Sequence, residues 1–130
     1  MSIPYRLTPM KDNISKQPKK GYYAQVVTKG TIDTPSLCRE IASGCTLTVA
    51  DMRAAIEALS SSVANCLMNG YNVNIDGLGT FSLSAESKLV ESEDDLRAQS
   101  VKVKNVNFRS AVSLKKTVKE SSFVRVKDKR

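Results

Sequence analysis

The fold of this chain is decided by one stretch, Gly70-Tyr71-Asn72-Val73-Asn74-Ile75-Asp76-Gly77-Leu78-Gly79-Thr80-Phe81. Apolar and polar residues alternate from residue 71 to residue 76, so one face of a strand is apolar. The alternation resumes after the two glycines, with Phe81 and Leu83 on the apolar side. Gly77 and Gly79 therefore predict a β-hairpin turn in which each glycine provides either a positive φ or room for a close backbone approach.

A long amphipathic helix is predicted immediately before this hairpin. Thr48 is positioned to cap its start, and Asp51 follows three residues later as the partner in a capping box. Asn69-Gly70 is typical of a helix end. Between these signals, apolar residues recur every three or four positions and predict one buried stripe, formed by Met52, Ile56, Leu59, Val63 and Leu67.

Two strands and a shorter helix are predicted upstream. Residues 22–28 are rich in aromatic and β-branched types, which favour strands, and residues 5–8 are a possible pairing partner. Thr34-Pro35 then predicts a helix start, because Thr is a good cap and Pro is tolerated in the first turn. That helix is expected to end by Ser43-Gly44.

The chain changes character after Leu83. Residues 86–97 form an acidic excursion, within which Ser92 and the acids after it predict a helical turn. Residues 101–108 read as a third strand with a bulge at Lys104-Asn105, where the apolar alternation shifts phase. A basic helix is expected from Ser110, and residues 123–126 suit an edge strand. The apolar residues expected to be buried in that helix are Val112, Leu114 and Val118.

Charge is strongly segregated along the 130 residues. The chain carries a formal net charge of +7, made of +5 over residues 1–30, −6 over residues 31–100 and +8 over residues 101–130. Basic ends of this kind indicate a polyanionic partner, and nucleic acid is the commonest one. The alternative at this point is a basic surface that is merely solvated.

The residue inventory offers no catalytic or metal site. There is no histidine to serve as a base or ligand, and Cys38, Cys45 and Cys66 lack metal-ligand spacing. Buried thiols in a reducing cytoplasm are expected for Cys38 and Cys66. No apolar run approaches the roughly 18 to 20 residues that span a bilayer. We therefore expect no enzyme activity, cofactor, small-molecule substrate or membrane partner.

Two motifs carry a family resemblance. Gly77-Leu78-Gly79-Thr80-Phe81 and, after a family-like distance, Phe108-Arg109-Ser110-Ala111-Val112-Ser113-Leu114-Lys115 resemble elements of the HU and integration host factor family of bacterial histone-like proteins. That family has a Gly-Phe-Gly-aromatic turn at the first place and Phe-basic-Pro-Gly-x-x-Leu-Lys at the second. The match runs from about Ile32 to Lys119, and the strand pair before it is similar to a divergent HU-like subfamily common in Bacteroidetes.

The resemblance implies an α+β, HU-like (IHF-like) fold. It would contain an N-terminal helical hairpin, a three-stranded antiparallel sheet with an arm excursion, a short C-terminal helix and an extra N-terminal strand pair. The implied division is a basic extension at residues 1–31, an HU-like DNA-binding domain at 32–121 and a basic tail at 122–130. An intertwined homodimer is also implied, with a shared core that includes Phe81, Phe108, Leu59 and Val63.

The implied function is architectural binding of double-stranded DNA, largely independent of sequence, by a cytoplasmic, nucleoid-associated protein. Arms of the family insert a proline into the minor groove, but residues 84–100 contain no proline and are net acidic, so that wrapping mode does not carry over. The alternative is a dimerisation or protein-interaction module whose acidic arm binds a basic partner. Under the DNA hypothesis, the candidate phosphate-binding residues are Arg109, Lys115, Lys102, Lys104, Lys116, Lys119, Lys19 and Lys20.

Overall fold

The computed structural model describes residues 1–10 and 20–127. It divides into two compact units, one made of Met1–Asp33 with Thr117–Arg130 and the other of Thr34–Lys116. Each unit contains one three-stranded sheet, and the described residues include three α-helices. The mixed α+β class is therefore confirmed, while the functional division at residues 31 and 121 stays a prediction.

The described residues form helices and strands in a fixed order along the chain. In order they are β1 (Ser2–Pro9), β2 (Tyr22–Val26), α1 (Thr34–Ser43), α2 (Val49–Met68), β3 (Val73–Ile75), β4 (Gly79–Glu86), β5 (Lys102–Ser110), α3 (Val112–Lys119) and β6 (Ser122–Arg125). Two single 3-10 turns, Glu93–Asp95 and Ala98–Ser100, lie between β4 and β5.

Sheet 1 joins the two ends of the chain in the order β2-β1-β6. The predicted pairing of β1 with β2 is confirmed as antiparallel, with Tyr5 opposite Val26. The predicted C-terminal strand is β6, which lies at the sheet edge and runs parallel to β1, with Phe123 opposite Ile3. Sheet 1 thus takes its strands from both ends of the sequence.

Helix α2 begins as its capping signals predict. The Asp51 amide donates to the Thr48 hydroxyl at 3.1 Å, and the Thr48 amide donates to the Asp51 carboxylate at 3.2 Å. Two of the four amides left unpaired at a helix start are satisfied in this way. Cys38 on α1 and Leu67 on α2 are buried, and the two helices contact each other.

Sheet 2 has the order β3-β4-β5 and is antiparallel throughout. Ser84 pairs with Asn105 but Ala85 pairs with Val103, so Lys104 is the extra residue of a bulge, as predicted. Strand β3 starts at Val73, two residues later than the alternation suggests. The reason is that the Tyr71 amide donates to the Cys66 carbonyl at 3.0 Å and so completes the end of α2 instead of a strand ladder.

The hairpin turn uses its two glycines differently. Gly77 has a φ of 81°, a left-handed conformation that favours glycine. At Gly79, a Cβ would overlap the carbonyl oxygen of Arg109 and lie 2.7 Å from Cζ of Phe108. Gly77 therefore supplies the positive φ, and Gly79 lets β4 and β5 approach closely.

This difference predicts unequal effects of alanine. Gly79→Ala is expected to lower the free energy of unfolding by about 3 kcal/mol, because the added carbon meets backbone that cannot move independently. Gly77→Ala should cost only about 1 kcal/mol of backbone strain, since nothing lies within 4 Å of its Cβ position. Urea unfolding of both variants measures the difference, and equal losses would contradict a close approach at Gly79.

Three residues that were expected to be buried are exposed. Val112 is 82% exposed and Val118 is also exposed. At about 100° per residue, Val112 falls between Lys119 and Lys116 around the axis of α3, on its basic side.

Cys66 is exposed rather than buried. It lies two turns after the exposed Leu59 on the same line of α2, whereas the line that reaches Leu67 faces inward.

The described part of a single chain has almost no core. Cys38 and Leu67 are its only buried apolar residues, so much of the stripe on α2 and the apolar face of sheet 2 is open. Within residues 1–10 and 20–127, no helix combines the length and apolarity that crossing a membrane requires. No group of three His, Cys, Asp or Glu in these residues could hold a metal ion.

Candidate nucleic-acid interface

Strand β5 carries three of the predicted cations, all of them exposed. Lys102 pairs with Glu86 at one end of the strand, Lys104 lies in the bulge, and Arg109 pairs with Thr80 near the other end. At strand spacing, seven residues separate Lys102 from Arg109 by about 23 Å. The cations of β5 are therefore distributed between the two ends of sheet 2.

The hairpin turn fixes the start of α3 beside Arg109. The Leu78 amide donates to the Ile75 carbonyl at 3.0 Å, and the Leu78 carbonyl accepts from the Ala111 amide at 2.8 Å. Helix α3 begins one residue later, and its exposed Lys115 and Lys116 lie within an arc of about 100° around the axis. The structure thus brings Arg109, Lys115 and Lys116 to one end of sheet 2, which we call the basic end.

Two of the remaining predicted cations, Lys119 and Lys20, do not belong to the unit that contains the basic end. Lys119 is the last residue of α3 and belongs to the unit that contains sheet 1. Lys20 is exposed before β2 in the same unit. Lys19 lies outside the described residues.

A row of uncharged polar side chains covers one face of sheet 2. Ser82 pairs with Asn107 and Ser84 with Asn105, while Asn74 donates to the hydroxyl of Thr80 at 2.8 Å. Side chains of this type bind phosphate and sugar oxygens, and they also contact base edges in the minor groove. This surface, the polar face, consists of Asn74, Thr80, Ser82, Ser84, Asn105 and Asn107, with Arg109 on the same side.

The sequence prediction did not include the polar face among candidate binding residues. Its signal was present as the alternation of Thr80, Ser82 and Ser84 with Phe81 and Leu83. The alternation by itself predicts only which side of the strand is apolar. Its polar half becomes a continuous surface only through the register of β4 with β5.

The opposite side of sheet 2 forms an apolar groove with α2. Leu59, Val63 and Phe81 line a hollow of about 260 Å³. Val63 and Phe81 also line an adjoining hollow of about 400 Å³, whose wall includes Val106. The ring of Phe108 lies against Phe81 with 4.9 Å between centroids and is 52% exposed. All four predicted core residues therefore lie at this groove or against a residue that lines it.

The acidic excursion leaves sheet 2 at the end opposite the basic end, beyond Glu86 and Lys102. The predicted helical turn after Ser92 is present as a 3-10 turn, in which the Asp95 amide donates to the Ser92 carbonyl at 3.0 Å. The Ser92 side chain makes no capping hydrogen bond. The acids of the excursion are all exposed: Glu86, Glu91, Glu93, Asp94 and Asp95.

Comparison with known proteins agrees with these features of the fold. The family model HU-HIG, described as an HU domain fused to wHTH, Ig, or glycine-rich motif, matches residues 1–125. A crystal structure from Bacteroides vulgatus ATCC 8482, described as that of a candidate bacterial DNA-binding protein, superimposes with a TM-score of 0.69 at 21% sequence identity. It covers 96% of this chain, which spans 48% of that protein's chain. No curated protein matches the sequence.

Proposed function

The chain belongs to the HU-HIG family of HU domains, and from this premise we propose that it binds double-stranded DNA as a homodimer, largely independently of base sequence. The feature that supports this most directly is the basic end. Arg109 lies on the side of the polar face, and the Leu78–Ala111 hydrogen bond fixes the start of α3, which carries Lys115 and Lys116. Cations of this kind neutralise phosphates, which supply most of the affinity in sequence-independent binding.

The polar face would add directional contacts to this attraction. Its serine, threonine and asparagine side chains can both donate and accept hydrogen bonds. Phosphate and sugar oxygens, and the acceptors of the minor groove, offer similar partners along any sequence. Binding by the basic end and the polar face would therefore position the duplex without selecting a base sequence.

A second copy of the chain accounts for the open apolar groove. A lone chain leaves Phe108, Val103 and Val106 more than half exposed beside the hollows on α2. Small units with so little buried surface gain stability by covering each other's apolar faces. A two-fold symmetric pair would close both grooves with the same residues and would double the number of phosphate contacts.

The acidic excursion limits where DNA can lie. Carboxylates are repelled by phosphates, so we do not propose that residues 86–97 wrap the duplex. Their position at the far end of sheet 2 from Arg109 favours contact at the basic end instead. The protein-interaction alternative assigns these acids to a basic protein partner, and the two hypotheses respond differently when the acids are neutralised.

Salt dependence tests the proposal. We expect the logarithm of the affinity for linear duplexes of unrelated sequence to fall with the logarithm of salt concentration, with a slope of about −0.9 per phosphate neutralised. Fluorescence anisotropy measures the affinities, and light scattering on the same sample measures the dimer mass. A folded dimer that binds no duplex at low salt would contradict the proposal.

The acid-neutralised variant separates the two hypotheses within the same titration. Replacing Glu91 and Glu93 with Gln, and Asp94 and Asp95 with Asn, should raise the duplex affinity and leave the salt slope nearly unchanged. If DNA affinity stays constant and a co-purifying protein is lost, the acids hold a partner rather than repel DNA.

A further inference from the structure

One face of sheet 1 carries a line of aromatic side chains. The strand register places Tyr5, Tyr22 and Phe123 on the same side, because Tyr22 pairs with Pro9, and Phe123 pairs with Ile3. Tyr22 is 73% exposed and Phe123 is 58% exposed. The rings of Tyr5 and Phe123 meet edge to face, with 6.3 Å between centroids. They border a hollow of about 460 Å³ that Leu7 and Ala24 complete.

The unit that contains this face also carries the whole net charge of the protein. Met1–Asp33 with Thr117–Arg130 holds eleven Lys and Arg against four acids, a net charge of +7, whereas Thr34–Lys116 holds nine of each and is neutral. Arg125 pairs with Tyr5 and shares its side of the sheet, and Lys20 and Lys127 lie just beyond strand ends. Strands β1, β2 and β6 contain no acidic residue.

From these two observations we infer that the aromatic face of sheet 1 binds single-stranded nucleic acid. Every base offers a flat face to an aromatic ring, so stacking on exposed aromatic residues is tolerant of sequence. The diagonal from Phe123 through Tyr5 to Tyr22 extends about 20 Å at sheet spacing. Arg125, Lys20 and Lys127 would pair with the phosphates between the stacked bases.

Charge decides between this ligand and a second copy of the chain. Two copies meeting at sheet 1 would bring together two units of +7 each, which repel one another. A polyanion is attracted by the same charge. The single-strand site is therefore distinct from the apolar groove of the neutral unit, and the inference does not depend on duplex binding.

Tyr22→Ala tests the inference, because this ring is largely exposed at the start of β2 and its loss leaves the strand pairing in place. Binding of a labelled oligothymidylate of about 12 nucleotides should weaken about 5- to 150-fold. Tyr22→Phe, which keeps the ring, should bind like the parent protein. Tyr71→Ala is the matched control, since Tyr71 is 68% exposed and lies in the other unit.

The same variants are measured on duplex DNA and by light scattering. We expect Tyr22→Ala to keep its duplex affinity and its native mass. The inference is overturned if Tyr22→Ala binds the oligothymidylate as tightly as Tyr71→Ala does, if it loses duplex and single-strand affinity equally, or if it changes the mass. If the parent protein binds no duplex but retains Tyr22-dependent single-strand binding, the duplex proposal fails and this inference stands.

Discussion

Phe81→Ala is expected to lower the free energy of unfolding by about 3 to 5 kcal/mol and to abolish the dimer. The ring of Phe81 lines both hollows of the apolar groove and packs on the ring of Phe108, with 4.9 Å between the ring centroids. Its removal would leave a cavity where α2, sheet 2 and the second copy are proposed to meet. Denaturant unfolding at two protein concentrations, together with light scattering, measures both effects, because the stability of a dimer rises with concentration.

Leu89→Ala is the matched control for this substitution. Leu89 is 102% exposed in the acidic excursion, so its truncation should change stability by less than about 0.5 kcal/mol. A Phe81→Ala protein that keeps the parent's mass and unfolding midpoint would show that the groove is not a shared core. Loss of the dimer in both variants would instead place the interface at the excursion.

Local signals predicted much of the fold. The start of α2 follows from the side-chain chemistry of Thr48 and Asp51, which acts within one turn. The bulge at Lys104 follows from a phase shift in apolar residues along a single strand. Burial was harder to predict, because it depends on what covers a residue. Val112 has an apolar side chain, but its angle around α3 places it among lysines.

Only part of the candidate site, its cations, could be predicted from the sequence, and the reason is related. Arg109 and Lys115 could be selected because both are basic and both stand at basic positions of the family resemblance. The polar face was not predicted as a binding surface, because each serine or asparagine, considered singly, is an ordinary solvent-facing residue. Only the pairing of Ser82 with Asn107 and of Ser84 with Asn105 joins them into one surface.

The neutral charge of the Thr34–Lys116 unit is compatible with DNA binding because its charges are separated in space. The basic end and the origin of the acidic excursion lie about 23 Å apart along β5. At physiological ionic strength, the Debye length is about 8 Å, so the acids weaken the attraction between phosphates and the basic end without cancelling it. Local charge, not the net charge of the unit, would therefore govern contact with the duplex.

Because local charge at the basic end would govern contact, the double variant Arg109→Gln/Lys115→Gln is expected to have a large effect on duplex binding. In a homodimer the two substitutions remove four cations, so the salt slope should become shallower by about 3 to 4. Affinity at low salt should fall by at least about a hundredfold, since each contact to a charged group contributes on the order of 1 kcal/mol or more. Anisotropy titrations of the parent and variant proteins on one duplex measure both quantities.

The control is Arg39→Gln/Arg53→Gln, which removes the same charge from the same unit. Arg39 lies on α1, where it donates to the Ser36 hydroxyl at 3.0 Å, and Arg53 is exposed on α2. Neither belongs to the basic end or the polar face, so this variant should keep the parent's slope and most of its affinity. If the two double variants weaken binding equally, the duplex responds to net charge alone. The basic end would then not be the site of phosphate contact, even if the protein binds DNA.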